Sequence, residues 1–146
     1  MKKLSIALCF AFFFGMVVIG CTNGAGETDE DGVDVNLSRL SMTMMQAEFL
    51  RILNDSDSFL GKTIRVTGTY DSIIYSRDNV SHYVIVIPGD ECCQMGFEFR
   101  RAGDYVFPDD YPEQNATIEL TGTLDRYETV GMSFLYIDVI EFSVLN

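Results

Sequence analysis

Basic residues are few in this 146-residue sequence, which has ten lysines and arginines against 22 acidic residues and a formal charge of −12. A surface that is so negative repels phosphate groups, so nucleic acid is not expected as a partner. The sequence has one histidine and lacks the Gly-x-Ser-x-Gly turn, the His-Glu-x-x-His helix and the glycine-rich phosphate loop. Because these signatures of common enzyme classes are missing, the protein is not expected to be an enzyme.

The cysteines do not form a disulfide framework. Of the four cysteines, Cys9 lies inside the N-terminal apolar run and Cys21 follows its end. Only Cys92 and Cys93 belong to the rest of the chain, and they are adjacent. A disulfide-rich scaffold has spaced, even-numbered cysteines, so this class of protein is excluded.

The N-terminus has the order of features found in export signals. Lys2 and Lys3 precede the apolar stretch 4–19, which is short for a transmembrane helix. The apolar stretch ends with Val18 and Ile19, and Gly20 and Cys21 come directly after it. They resemble the lipobox of bacterial lipoproteins, in which small residues precede a lipidated cysteine. The resemblance implies cleavage after residue 20, palmitate or a similar acyl chain at the new N-terminus, and a membrane-anchored location facing the cell surface or the periplasm.

These features divide the chain into three parts. Residues 1–20 are the predicted signal peptide. Residues 21–40 are rich in Gly, Asp and Glu and lack apolar periodicity over most of their length, which is typical of a flexible tether. Residues 41–146 carry regular patterns and are the predicted folded domain.

The folded domain is predicted to be all-β after one helix. Apolar residues recur at helical spacing from Met42 to Leu53, with Thr43 and Gln46 placed as a capping box. Period-two alternation or short apolar runs then indicate five strands. The predicted strands are residues 62–70, 82–87, 93–99, 117–124 and 133–144.

Two of the predicted strands are near copies of each other. Residues 63–71 and 117–125 agree at six of nine positions, and each has a glycine in mid-strand, Gly68 and Gly122. Such glycines mark bulges or bends, and bent strands allow a short sheet to curl into a small barrel.

The stretches GKTIRVTGTY, ECCQMGFEF, FPDDYP and TIELTGTLDRYE give the chain a resemblance to the OB-fold. In particular, it resembles the tRNA-anti-like OB domains of uncharacterised bacterial lipoproteins. The resemblance implies a five-stranded OB-like β-barrel. This sequence differs from the usual OB-fold pattern in one respect. Residues 100–116 have the composition of a loop, where OB-folds often have a helix.

Three interpretations of Cys92-Cys93 remain open. Alternation with Met95 and Phe97 points Cys93 into the core as an inert packing residue. A disulfide between neighbours is strained, because their Cα atoms lie about 3.8 Å apart and disulfides rarely form below about 4.4 Å, so it would serve as a redox switch. The third interpretation is a zinc or thiol-redox site formed with His82. Apart from that zinc hypothesis, no cofactor is expected.

A second candidate site is the loop before the fourth strand, where carboxylates alternate with aromatic side chains. Its residues are Asp104, Tyr105, Phe107, Asp109, Asp110 and Tyr111. Because OB barrels often bind through their loops, the loop is a candidate ligand patch. The competing interpretation is a solvated loop that its aromatic residues anchor to the barrel.

These patterns favour first a membrane-anchored extracytoplasmic lipoprotein that acts as a non-enzymatic binding or accessory module of the cell envelope. Its expected partners are the membrane, through the lipid on Cys21, and an envelope protein. A metal-binding or thiol-redox module centred on Cys92-Cys93 is the second hypothesis. The third hypothesis is oligonucleotide binding, which the OB-fold resemblance implies. It is placed last because the negative charge of the protein opposes binding to phosphate groups.

Overall fold

The computed structural model describes residue 29 and residues 31–75, 80–87 and 94–145. The predicted signal peptide, Cys21 and the Cys92-Cys93 pair lie outside these residues, and so do most of the predicted tether residues before 31. The elements, in chain order, are β1 Val35–Asn36, α1 Met42–Asn54, β2 Thr63–Tyr75, β3 Val80–Ile87, β4 Met95–Arg101, β5 Thr117–Thr129 and β6 Met132–Leu145, with short 3-10 turns at Leu37–Arg39 and Ser56–Ser58.

The five long strands pair in a closed ring. Strand β2 pairs antiparallel with β3 along its second half and with β5 along its first half. Strand β3 pairs with β4, β4 pairs parallel with β6, and β6 pairs antiparallel with β5. This order is that of a five-stranded Greek-key barrel, as in the OB-fold. The prediction of an all-β, OB-like fold with one N-terminal helix is therefore confirmed.

Strand β2 changes neighbours next to the first repeated glycine, since its pairing with β5 ends and its pairing with β3 begins at Thr69. A Cβ on Gly68 would lie well inside 3.0 Å of the backbone carbonyl oxygen of Val86 on β3. Its counterpart Gly122 would bring a Cβ equally close to the carbonyl oxygen of Asp138 on β6, and the β5–β6 register shifts at this position. Both glycines therefore lie where a neighbouring backbone leaves no room for a Cβ, and the bulge or bend predicted from the sequence is present at Gly122 as the register shift.

Helix α1 packs its apolar stripe against the barrel. Met45, Phe49 and Ile52 are buried, and the ring of Phe49 meets that of Phe97 edge-on with a centroid distance of 4.8 Å. The first and last residues of the predicted stripe are not buried, since the exposed fractions of Met42 and Leu53 are 53% and 46%. Among the residues that the structure describes, no helix has the length and apolarity needed to cross a membrane.

The helix begins two residues earlier than the predicted capping box requires. Ser41 is the N-cap, and its hydroxyl accepts a hydrogen bond from the backbone N–H of Met44 at 3.4 Å. Thr43, which the sequence analysis placed at the cap, lies inside the helix and is exposed.

Replacement of the N-cap serine provides a test of this assignment. We expect Ser41→Ala to lower the free energy of unfolding by about 1 kcal/mol, because the first turn loses its side-chain acceptor. Thr43→Ala is the matched control and should change it by less than about 0.5 kcal/mol, as for other exposed positions. Urea denaturation followed by circular dichroism measures both. A larger loss for Thr43→Ala would contradict the assignment.

The folded body begins earlier than the predicted boundary at residue 41. Val33 is 2% exposed and Leu37 is fully buried, and β1 runs parallel to the start of β2. Asp34 fixes this segment, since its carboxylate accepts from the backbone N–H of Thr63 at 2.8 Å and its own N–H donates to the Thr63 carbonyl at 3.0 Å. The later part of the predicted tether is therefore part of the core. The sequence analysis missed it although Val33, Val35 and Leu37 alternate at period two, because the acidic and glycine-rich residues before them are typical of a tether.

Candidate nucleic-acid interface

The predicted acidic loop is structured by its own hydrogen bonds. Asp104 and Asp109 are exposed, whereas the Asp110 carboxylate accepts from the backbone N–H of Val106 at 2.8 Å. The Asp110 carbonyl accepts from the Arg101 guanidinium at 2.8 Å. Among the described residues, no three histidine, cysteine, aspartate or glutamate side chains are grouped closely enough to hold a metal ion. The loop carboxylates therefore do not assemble as a cation site.

The aromatic residues of this loop pack together and onto the barrel. Tyr111 stacks on the buried Tyr70 of β2 with a centroid distance of 6.3 Å, and it also contacts Tyr105 and Phe107. The Arg101 guanidinium lies 3.7 Å from the centroid of the Tyr105 ring. The structure thus agrees with the interpretation that these rings anchor the loop.

The residues of the predicted zinc or thiol-redox site, His82, Cys92 and Cys93, are not brought together within the described part of the chain. The backbone of His82 lies in β3, opposite Ile73 of β2. Cys92 and Cys93 lie outside the described residues. The zinc and thiol-redox hypotheses therefore stay predictions.

A different cluster lies where β4, β6 and β5 run side by side. Register places Tyr136 of β6 opposite both Glu98 of β4 and Asp125 of β5. Tyr127 of β5 lies opposite Phe134 of β6. These positions alternate with the buried Leu124 and Ile137, so they occupy the outer face of the barrel.

Arg100 at the end of β4 completes this cluster. Its guanidinium carbon lies 4.0 Å from the centroid of the Tyr136 ring and 4.5 Å from that of Tyr127. The rings of Tyr127 and Phe134 are stacked, with centroids 5.4 Å apart and planes 19° apart. We call Arg100, Tyr127, Phe134 and Tyr136 the stacking surface. Arg100 is exposed and the three rings are half-buried, so the surface is accessible from solvent.

Two carboxylates hold the tyrosine rings in place. The Tyr127 hydroxyl donates to Glu98 at 2.7 Å, and the Tyr136 hydroxyl donates to Asp125 at 3.0 Å. Burial, followed by the hydrogen bond to Asp125, raises the pKa of Tyr136 above its ordinary value. The hydroxyl therefore remains a hydrogen-bond donor throughout the physiological pH range, and the ring is fixed before any ligand arrives.

Part of the stacking surface belongs to a projecting β-ribbon. The pairing of β5 with β2 ends at Thr123, and the pairing of β6 with β4 begins at Tyr136. Between these points the two strands pair only with each other within the described residues, and they turn at Val130, which is 92% exposed. Tyr127 and Phe134 are cross-strand neighbours on this ribbon.

The sequence analysis did not find the stacking surface. It assigned Arg100 to the loop-like residues 100–116 and the aromatic residues of β6 to the predicted strand 133–144, with no link between them. A signal was nevertheless present, because Phe134 and Tyr136 lie two residues apart and so share one face of a strand. Their assembly with Arg100 depends on the parallel pairing of β4 with β6, which local patterns do not reveal.

Comparison with known proteins gives a likeness of fold. No family model matches the sequence, and no curated protein matches it at a significant level. Among solved structures, the chain is similar to the N-terminal domain of PriB protein from Thermoanaerobacter tencongensis, which was described as a dimer. The identity is 12% and the TM-score 0.38, with 57% of this chain and 96% of that chain covered. At these values the likeness concerns the fold alone.

This finding corrects two predictions. The leading function, an accessory module of the cell envelope, is corrected, since the comparison returns a domain of PriB protein. The exclusion of nucleic acid as a partner is also wrong. The error was physical, because net charge averages over the chain whereas binding depends on one surface. Nine of the 22 acidic residues are concentrated in two segments, five within residues 27–34 and four within residues 104–113, whereas Glu98 and Asp125 adjoin the stacking surface.

Proposed function

We propose that this OB-like domain binds single-stranded nucleic acid on the stacking surface. The observation that carries the proposal is the position of the Arg100 guanidinium, 4.0 Å from the Tyr136 ring and 4.5 Å from the Tyr127 ring. Single-strand-binding proteins use this combination, in which bases stack on aromatic rings and on arginine planes. The function is binding, with no catalytic step and no resident cofactor required.

The proposed mechanism relies on stacking more than on phosphate contacts. Each base that stacks on an aromatic side chain contributes about 1–3 kcal/mol, largely without regard to sequence. The exposed Arg100 supplies one cation and a planar surface for a base. Glu98 and Asp125 accept hydrogen bonds from the tyrosine hydroxyls and so serve to position the rings.

The overall charge of −12 limits the affinity and its dependence on salt. A protein that neutralises many phosphates loses affinity steeply as salt rises, because counterions are released on binding. A surface with one arginine between aromatic rings releases few of them. We therefore expect dissociation constants of about 10⁻⁴–10⁻⁶ M and a shallow dependence on salt.

Binding is tested by fluorescence anisotropy on the purified chain with a labelled thymidine 12-mer. The same oligonucleotide annealed to its complement is the control, since paired bases cannot stack on the protein. We expect saturable binding of the single strand and much weaker binding of the duplex. Equal affinity for both, or no binding at millimolar protein, contradicts the proposal.

We propose separately that residues 1–20 direct export and that Cys21 carries the lipid, which places the domain on the extracytoplasmic face of a membrane. The support is the sequence order of positive residues, apolar run and lipobox. This proposal concerns location and is independent of the ligand.

Lipidation is tested by labelling expressing bacteria with a palmitate analogue. We expect the wild-type chain to incorporate the label and Cys21→Ser to lose all of it, because the acyl-bearing thiol is removed. Cys9→Ser is the matched control and should keep the label, since that residue lies within the predicted signal peptide. Label retained by Cys21→Ser contradicts the assignment.

A further inference from the structure

A cleft opens next to the stacking surface where two strands separate. Within the described residues, β4 and β6 pair only from Glu98 and Tyr136 onward. Before these residues, β4 pairs with β3 and β6 pairs with β5, so each strand turns one edge toward the gap. Helix α1 closes the gap from below with Phe49 and Leu53.

The cleft has a volume of about 630 Å³, within the range of roughly 300–1,000 Å³ usual for small-molecule sites. Its floor is apolar, with Phe97 buried and Leu135 half-buried. Four residues with polar side chains also line the cleft: Ser56, Gln94, Arg126 and Ser133.

One wall of the cleft is shared with the stacking surface. Phe134 lines the cleft and is stacked on Tyr127. A strand of nucleic acid that stacks on the outer rings therefore passes the mouth of the cleft. Arg126 is held there by an ion pair with Asp57 at 2.5 Å, and its side chain remains 33% exposed.

We propose that the cleft receives one unstacked nucleotide of the strand bound on the stacking surface, a proposal that rests on the proposed function. An apolar floor suits the faces of a base. The Gln94 amide has two donors and one acceptor oxygen, which are the groups that hydrogen-bond to base edges. The exposed strand edges of β4 and β6 add backbone donors and acceptors of the same kind. The cleft thus supplies base contacts that the rings alone do not make.

The experiment fills the cleft without touching the stacking surface. Ser133→Leu places an aliphatic side chain in the cleft, and Ser143→Leu makes the same change elsewhere on the exposed face of β6. Binding of the labelled thymidine 12-mer to the full chain is measured for both, with folding checked by circular dichroism. We expect about tenfold weaker binding for Ser133→Leu, equivalent to about 1.4 kcal/mol, and no change for Ser143→Leu.

A second measurement reports on the cleft directly. Thymidine 5′-monophosphate is titrated into the ¹⁵N-labelled chain, and we expect amide shifts at Gln94, Gly96 and Ser133. If the wild type binds the 12-mer, unchanged binding by a folded Ser133→Leu together with no shift at these amides overturns the cleft proposal and leaves the stacking surface in place. If the wild type does not bind the 12-mer, the proposed function itself fails.

Discussion

Tyr136→Ala is expected to weaken binding of a single-stranded oligonucleotide by about 5- to 150-fold. The range corresponds to the 1–3 kcal/mol that one base–aromatic stacking contact contributes. The variant removes the ring nearest to the Arg100 guanidinium and leaves Arg100 without its closest aromatic partner. Anisotropy titrations of the labelled thymidine 12-mer at constant salt measure the change.

Tyr136→Phe separates the ring from its hydroxyl. This variant keeps the stacking face but loses the hydrogen bond to Asp125, so we expect binding within about threefold of wild type. Tyr105→Ala is a second control, because it removes a ring that also contacts an arginine, Arg101, but lies outside the stacking surface. If Tyr105→Ala weakens binding as much as Tyr136→Ala does, or if Tyr136→Ala leaves binding unchanged, the stacking surface is not the site.

Gly122→Ala is expected to lower the free energy of unfolding by about 3 kcal/mol, at the upper end for overpacked cores. The added Cβ would lie well inside 3.0 Å of both the backbone carbonyl oxygen of Asp138 and a methyl group of Ile137. Rotation of a side chain cannot relieve the first clash, because the carbonyl belongs to the neighbouring strand. The β5–β6 pairing must therefore shift.

Thr123→Ala is the matched control, one residue along the same strand. It removes atoms and adds no clash, so we expect a loss of about 1 kcal/mol or less, the span of strand propensity. Urea denaturation of both variants measures the two changes in the free energy of unfolding. A Gly122→Ala variant as stable as Thr123→Ala would show that the β5–β6 contact is looser than the structure indicates. Gly68→Ala should behave like Gly122→Ala, because a Cβ there meets the Val86 carbonyl.

The fold was largely predictable from the sequence. Alternation of apolar and polar residues is a local signal, because side chains on a strand point to opposite faces at every second residue. It located the five long strands, although β2 and β5 each extend five residues beyond the predicted ends, to Tyr75 and Thr129. The repeated glycines predicted an irregularity in each strand, and the β5–β6 register shifts at Gly122. Their effect is also local, since a missing Cβ is what lets another backbone approach.

The edges of the elements were less predictable. Ser41 and Thr43 are both suitable caps by residue type, and the structure uses Ser41. Val33, Val35 and Leu37 alternate at period two and are buried, but three apolar residues after an acidic, glycine-rich stretch are too short a signal to separate a strand from a tether.

By itself, the sequence determined the class of fold, the strand positions and the N-terminal export pattern, because each depends on residues close together in the chain. The tertiary structure alone decided the candidate site. Arg100, Tyr127 and Tyr136 come from three strands and meet through the parallel β4–β6 and antiparallel β5–β6 registers. A shift of one residue in either register would send these side chains to the opposite face, so no local pattern predicts their meeting.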